Sequence, residues 1–422
     1  MSPMTAFIGL LFLAYMGSVV VGGRAVRGYG LPSGSEYLLL GFLLGPYVLG
    51  ILNREALEAM KPFLMVGAGW LVLVSGMDWG HVDDQPSSLK DILASALLAL
   101  ITGGLMFGAV FWVIGQLGPS TAKSRLLLAG AIAAVGMETT RLAVRWVIER
   151  YGAHGPLSRR IATLADADEL PALLLVGALF VYIPLPATHI YVPPGGWFAI
   201  TLGLGVVMGL ISVALMGPEL HHGEAQCLIL GAGLLCTGLS TALGLAGVVS
   251  SFVLGVTLSR ISPHRMALLA IMKKSEQPVL LPVLLLAGAL VTLEDRRLPA
   301  ILGVTLGARL LGKLLTGALL SATSTGRAAG PLLGLGLLPS GVVTICLAVS
   351  LSFRMGAKDG QLVLGAAVAM SLLGELLGPV SLRRALARAG ELRNPTGTRS
   401  DPPGLAASQP APDALGAGSV GP

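Results

Sequence analysis

The chain is a succession of apolar stretches separated by short polar segments. A helix that crosses the hydrocarbon of a bilayer needs about 20 residues. Thirteen stretches approach that length, at roughly 4–22, 36–52, 62–77, 91–115, 125–147, 163–183, 197–216, 226–242, 244–260, 268–293, 298–320, 330–350 and 361–380. Several are short or carry Gly and Pro, which shifts their ends by several residues. The pattern predicts an all-α polytopic membrane protein with about 13 transmembrane helices. Composition agrees: 54% of the 422 residues are hydrophobic and only 12% charged, where a soluble domain carries about a quarter. Mean hydropathy is +0.80, and the 58 glycines suit helices that approach closely. From about Glu391 the sequence turns to Pro, Gly, Ala, Ser and Asp, which cannot bury a core. We therefore expect a membrane domain over 1–390 and a disordered cytoplasmic tail over 391–422.

Lys and Arg set the orientation. The first stretch has no basic residue before it and is followed by Arg24 and Arg27. That favours an uncleaved first helix with its N-terminus outside. Counting spans from there places "RWVIERYGAHGPLSRR", "SRISPHR" and "RRALARAGELR" in the cytoplasm, and the uncharged "PLPATHIYVPPGG" outside. The acidic loop "DWGHVDDQPSSLKD" falls inside, where acids weigh little. The net charge of +6 sits mostly in loops, so the basic residues read as topology signals and no nucleic-acid partner is expected. Cys227, Cys236 and Cys346 lie in apolar stretches without disulfide or metal spacing. His221–His222 reads as a solvated loop, so no metal and no cofactor are expected. No nucleophile–base constellation appears, and the chain is not read as an enzyme.

Thirteen divides as six, one and six, so the second block starts on the opposite side from the first. That is the arithmetic of an inverted-topology repeat. A Phe-x-Leu-Gly pattern recurs seven spans apart, in "YLLLGFLLGPYVLG" and "SSFVLGVTLS". The fifth and twelfth stretches, also seven apart, are both interrupted mid-membrane, at "AAVGMETT" and "LLPSGVV". Paired broken segments point to a substrate site near the midplane.

The run "LADADELPALLLV" at 164–176 sets Asp166, Asp168 and Glu169 ahead of purely apolar sequence. As first-turn acids they would suit a helix dipole at the membrane surface. Length argues otherwise. Leu170 to Ile183 makes about 21 Å of helix, against about 30 Å of hydrocarbon, so some of residues 163–169 must lie within it. Asp168 and Glu169 are the deepest and can flank one cavity. Charge inside lipid costs several kcal/mol unless paired or hydrated, so partners are expected. Arg309 and Lys313 share one face of the eleventh stretch at i, i+4. Snorkelling suits Lys313 better than the central Arg309. Glu138 and Arg141 are interior to the fifth stretch. Lys273, Lys274, Glu276 and Glu375 stay open between surface and interior. Two neighbouring carboxylates in a low dielectric do not both ionise cheaply. One then holds a proton that a monovalent cation can displace, while a nearby lysine neutralises the other when the cation is absent. Such a group exchanges protons for cations.

The pieces, taken in order, resemble a known family. "LPSGSEYLLLGFLLGPYVLG", "LGLAGVVSSFVLGVTLSR", "SEQPVLLPVLLLAGAL", "LGARLLGKLL" and "LLGELLGPVSLRRAL" are similar to successive segments of the monovalent cation:proton antiporters. The likeness is to the bacterial branch of Kef-type and sodium:proton exchangers, and it covers roughly residues 1–390. It implies an inverted-repeat fold with crossed, broken fifth and twelfth spans. It also implies a homodimer with interleaved dimerisation and core subdomains, an ion- and proton-binding pair at Asp168 and Glu169, and an accompanying lysine at Lys313. Two departures stand out. The second acid is Glu rather than Asp. The family's Thr-Ser-Pro or Thr-Asp-Pro break is here Gly136-Met137-Glu138, with Arg141 close by. Asp166, Glu138, Arg141 and Arg309 are therefore further candidates for coupling. "GLGLLP" at 334–339 breaks the GxGxxG pattern and lies in a span, so it is no cofactor loop.

The expected activity is secondary exchange of protons for Na⁺ or K⁺ in a bacterial inner membrane. The alternatives are a coupled carrier of a small organic ion served by Glu138 and Arg141, and a transport-inactive sensor or structural subunit.

Overall fold

The computed structural model describes residues 9, 34–80, 89–118, 120–183, 192–216, 222–323, 327 and 330–392. Almost all of the first expected stretch, and the tail beyond Leu392, lie outside these. Among the described residues the chain is helical and has no strand. In order the helices are α1 (Glu36–Leu44), α2 (Arg54–Gly80), α3 (Leu89–Gln116), α4 (Ala122–Gly136), α5 (Arg141–Arg150), α6 (Pro156–Ala167) and α7 (Glu169–Tyr182). There follow α8 (Pro194–Leu215), α9 (His222–Ala242), α10 (Gly247–Ile261), α11 (Arg265–Ala289) and α12 (Leu298–Ser321). A 3-10 helix (Pro331–Leu337), α13 (Val342–Arg354) and α14 (Ala357–Arg388) are the last elements among the described residues. Among the described residues, seven segments are long and apolar enough to cross a membrane, one of them the α4–α5 pair taken together; α10 and α13 are shorter apolar helices.

The ends differ from the sequence reading for local reasons. α1 stops at Leu44 rather than near 52, because Gly45 is extended ahead of Pro46. α2 runs well past both ends of 62–77 and carries Asp78, which the polarity of "DWGHVDD" had placed in a loop. The sixth stretch starts at Pro156 and is two helices that meet at Asp168.

The helices sort into two neighbouring groups. α10 packs against α2, α8 and α9, while α1 lies along α11. α12 packs against α3, the 3-10 helix and α14, and α4 packs against α3, α7 and α14. α2 joins the groups through α13. Close approach is made by glycines on facing helices. A Cβ at Gly255 would lie 2.9 Å from the Met77 amide nitrogen, and one at Gly288 would lie 2.8 Å from the Leu38 carbonyl carbon.

On α12 the usual amphipathic order is turned inside out. Thr305, Arg309, Lys313 and Thr316 are buried, while Leu311, Leu315 and Leu319 are exposed. With lipid as the outer solvent, the leucines face outward and the cations face the bundle interior.

Candidate functional site

Two interrupted helices cross at the centre of the second group. α4 ends at Gly136 and α5 begins at Arg141; the 3-10 helix ends at Leu337 and α13 begins at Val342. The intervening segments bond to each other. The Thr140 amide donates to the Pro339 carbonyl at 2.9 Å, and the Thr139 hydroxyl donates to the Leu337 carbonyl at 3.1 Å. Gly341 leaves room for the Thr140 side chain, which a Cβ there would strike.

Each break leaves carbonyls without helical partners on one side and amides on the other. The two cations of α12 take the carbonyls. Arg309 donates to Gly136, to Glu138 at 2.8 Å and to Leu338 at 2.9 Å. The Lys313 ammonium donates to the Met137 carbonyl at 2.8 Å and to the Thr139 hydroxyl at 2.6 Å. Positive groups thus sit where helix dipoles end negative. The carboxylates take the opposite ends. Asp168 Oδ2 accepts the Thr139 amide at 2.9 Å, just ahead of α5. Glu138 accepts the hydroxyl of Thr344 in the first turn of α13.

Asp168 is the joint between α6 and α7, and its Oδ2 lies 3.6 Å from Lys313 Nζ. Among the described residues its other oxygen, Oδ1, has no hydrogen-bond partner, and neither has Glu138 Oε1. Both residues are buried. Glu169, the first residue of α7, points elsewhere. Its Oε2 accepts the Ser75 hydroxyl at 2.7 Å and its Oε1 lies 3.4 Å from Arg141 Nε. Arg141 also donates to the Ser75 carbonyl at 3.1 Å and hydroxyl at 2.6 Å, and lies 3.9 Å from Asp78. Asp78 in turn pairs with Lys273 of α11 at 2.5 Å, and Lys273 with Glu276 at 3.1 Å. A small cavity of about 30 Å³ opens here, lined by Ser75, Asp78, Thr140, Arg141, Glu169 and Glu276 among others. That is room for a water or a bare ion. A far larger cavity, about 1150 Å³, lies at the opposite end of α2 beside Tyr47, Arg54, Glu294, Arg297 and Asp359.

The fold therefore gathers Asp168, Glu169, Lys313, Glu138, Arg141 and Arg309 around one crossing. The two neighbouring acids take separate partners, Asp168 with Lys313 and Glu169 with Arg141. Glu138 and Arg141, close in sequence, turn to different helices. Asp166 stands apart, partly exposed and paired with Arg145 at 3.0 Å. Lys273 is partly exposed, whereas Glu375 is buried and accepts the Ser35 hydroxyl at 2.6 Å. Sequence reasoning missed Ser75, Asp78, Thr139 and Thr344. Ser75 and Asp78 stand at i, i+3 near the end of α2, a spacing that marks one helix face once the helix is known to continue that far.

No protein-family model and no curated protein matches the chain. Among solved structures it is similar to the sodium proton antiporter MjNhaP1 from Methanocaldococcus jannaschii at pH 8. The TM-score is 0.67 and the identity 18%, over 93% of this chain and 100% of that one. An electron-microscopy structure of the same antiporter gives 0.67 and 19% over the same shares. The chain has the fold of a sodium proton antiporter. With it come the multi-pass membrane architecture and the interrupted helices that the sequence pattern had suggested, and the crossing of those helices that the resemblance had implied.

Proposed function

We propose that this protein is a secondary active antiporter that exchanges protons for a monovalent cation, Na⁺ or K⁺, with Asp168, Glu169 and Lys313 as the exchange site. The observation that carries the reading is Asp168, a buried carboxylate at the crossing of two broken helices. One of its oxygens is held by the Thr139 amide and a lysine lies beside it; the other oxygen is without a partner among the described residues. A proton or a cation can occupy that oxygen, and occupancy by one excludes the other, which is the condition for coupled exchange. In the absence of a cation the Lys313 ammonium balances the carboxylate. When a cation binds, the ammonium still has the Met137 carbonyl and the Thr139 hydroxyl to hold it. Glu169, with Ser75 and Arg141, lines the small cavity and serves as the second acid on the ion path. A cavity of about 30 Å³ favours a bare ion over a small organic ion.

In this reading the group holding the crossed helices moves against the α1–α2–α8–α9–α10–α11 group. The site then meets first one side of the membrane and then the other. The protein works as a homodimer in a bacterial inner membrane, with its N-terminus outside and a cytoplasmic tail.

The test is proton movement in everted vesicles challenged with Na⁺, K⁺, Li⁺ or a neutral osmolyte. Asp168→Asn and Glu169→Gln are each expected to abolish cation-driven proton movement in inserted, folded protein, because an amide keeps the shape but carries no proton. Asp166→Asn, which breaks only a partly exposed pair worth about 0–1 kcal/mol, keeps activity. Normal transport by both amide variants with a dead Asp166→Asn would move the site to Asp166.

A further inference from the structure

We infer that Glu391 is a positioning residue for this exchange site: it clamps the start of α6 and through that helix sets the carboxylate of Asp168. The inference rests on Asp168 being the exchange group.

The argument begins at the end of α14. Gly390 takes a φ of +72°, its amide donates to Ala387 at 3.1 Å, and the Glu391 amide donates to Leu386 at 3.1 Å. These are the paired bonds of a Schellman turn, which needs a left-handed residue and so favours glycine. The turn throws Glu391 sideways onto the start of α6. That start lacks a cap of its own. Gly155 has no side chain to offer, and Pro156 has no amide hydrogen. The free amides are those of Leu157 and Ser158. Glu391 accepts one with each carboxylate oxygen, both at 2.7 Å. Its carbonyl accepts the His154 amide at 3.0 Å. A negative charge there also complements the helix dipole. Gly155 is itself part of the fit, since a Cβ on it would meet the Glu391 side chain, with Cγ at 2.6 Å.

The other end of α6 is Asp168, its C-cap. The helix is about 18 Å long and its apolar face is locked. Leu157, Ile161, Leu164 and Ala165 share one cluster with Leu333, Leu337, Leu382 and Leu386, and Leu392 packs on it. α6 therefore behaves as a short rod held by Glu391 at one end and presenting Asp168 at the other. The bond from Thr139 and the approach of Lys313 depend on its register.

The experiment uses the full chain, as wild type, Glu391→Ala and Glu391→Gln. Cation-driven proton movement in vesicles gives KM and maximal rate, and amide hydrogen exchange follows residues 157–169. In Glu391→Ala the KM for the cation is expected to rise about fivefold with maximal rate kept, which is about 1 kcal/mol at 1.4 kcal/mol per tenfold. Faster exchange is expected to spread from Leu157 and Ser158 to Ala167, Asp168 and Glu169. Glu391→Gln keeps the length and one acceptor oxygen; it is expected to fall between, and it carries the test if the alanine variant does not insert. An unchanged KM, or faster exchange confined to Leu157 and Ser158, overturns the proposal and leaves a local cap. If wild type itself moves no cation, the reading of function fails, and the spread or confinement of hydrogen exchange still decides whether Glu391 governs Asp168.

Discussion

Arg309 is expected to hold the crossing together before it serves transport, and Arg309→Met tests this. Methionine keeps a flexible unbranched side chain but has no donor. The carbonyls of Gly136, Glu138 and Leu338 then lose their guanidinium donor inside the buried crossing. A buried acceptor left unpaired costs about 1–3 kcal/mol, so three amount to about 3–9 kcal/mol. Removing the guanidinium also relieves its own desolvation, worth several kcal/mol. Breaking a buried charged network by deleting one partner costs a net of about 3–5 kcal/mol, and we expect that range. It is a large share of a typical stability of about 5–15 kcal/mol. The assay is the thermal unfolding midpoint in detergent, with Leu311→Met on the exposed face of the same helix as control. The midpoint should fall by about 5 °C or more in Arg309→Met and stay near wild type in the control. Arg309→Lys should fall between, since one ammonium reaches fewer of the three carbonyls. An Arg309→Met midpoint equal to wild type would refute the claim that these helix ends depend on Arg309.

Three further outcomes are expected. Glu138→Gln should shift the pH profile or ion preference of exchange, because its Oε1 is buried beside the crossing without a partner among the described residues; profiles identical from about pH 6 to 9 would leave Glu138 a mere acceptor for Thr344. Gly288→Ala should lower the unfolding midpoint, at a cost of about 1–3 kcal/mol for overpacking against the Leu38 backbone. The same change at Gly303, where a Cβ meets nothing within 4 Å, should be neutral or stabilising. The Arg297 guanidinium beside Asp295, in the loop ahead of α12, holds that carboxyl below its ordinary value of 3.8. Its contribution is present above the ordinary value and is lost as pH falls through the depressed one. Asp295→Asn should therefore lower the midpoint at neutral pH, and the difference from wild type should shrink once the pH drops below that ordinary value; a difference that persists unchanged would assign the loss to hydrogen-bond geometry rather than charge.

The apolar periodicity of the chain was enough to establish a helical membrane protein, because each span must satisfy its backbone within itself and bury about 20 apolar residues in lipid. The interruptions at "AAVGMETT" and "LLPSGVV" were legible for the same reason: polar residues, Gly and Pro inside apolar runs have few structural uses. The need to bury Asp168 and Glu169 followed from helix rise against bilayer thickness, and both are buried in the bundle. What linear sequence could not supply was which charge meets which. Arg309 and Lys313 share one face of one helix, yet Arg309 binds only carbonyls while Lys313 also faces Asp168. Glu138 and Arg141, near neighbours in the chain, turn to opposite sides because the helix between them is unwound. Ser75, Asp78 and Glu391 were invisible as site residues, since their partners lie 63 to 234 positions away. Pairing across such separations depends on how helices cross and where their ends fall. Those are decided by packing of glycines and leucines on faces that carry no chemical label in the sequence.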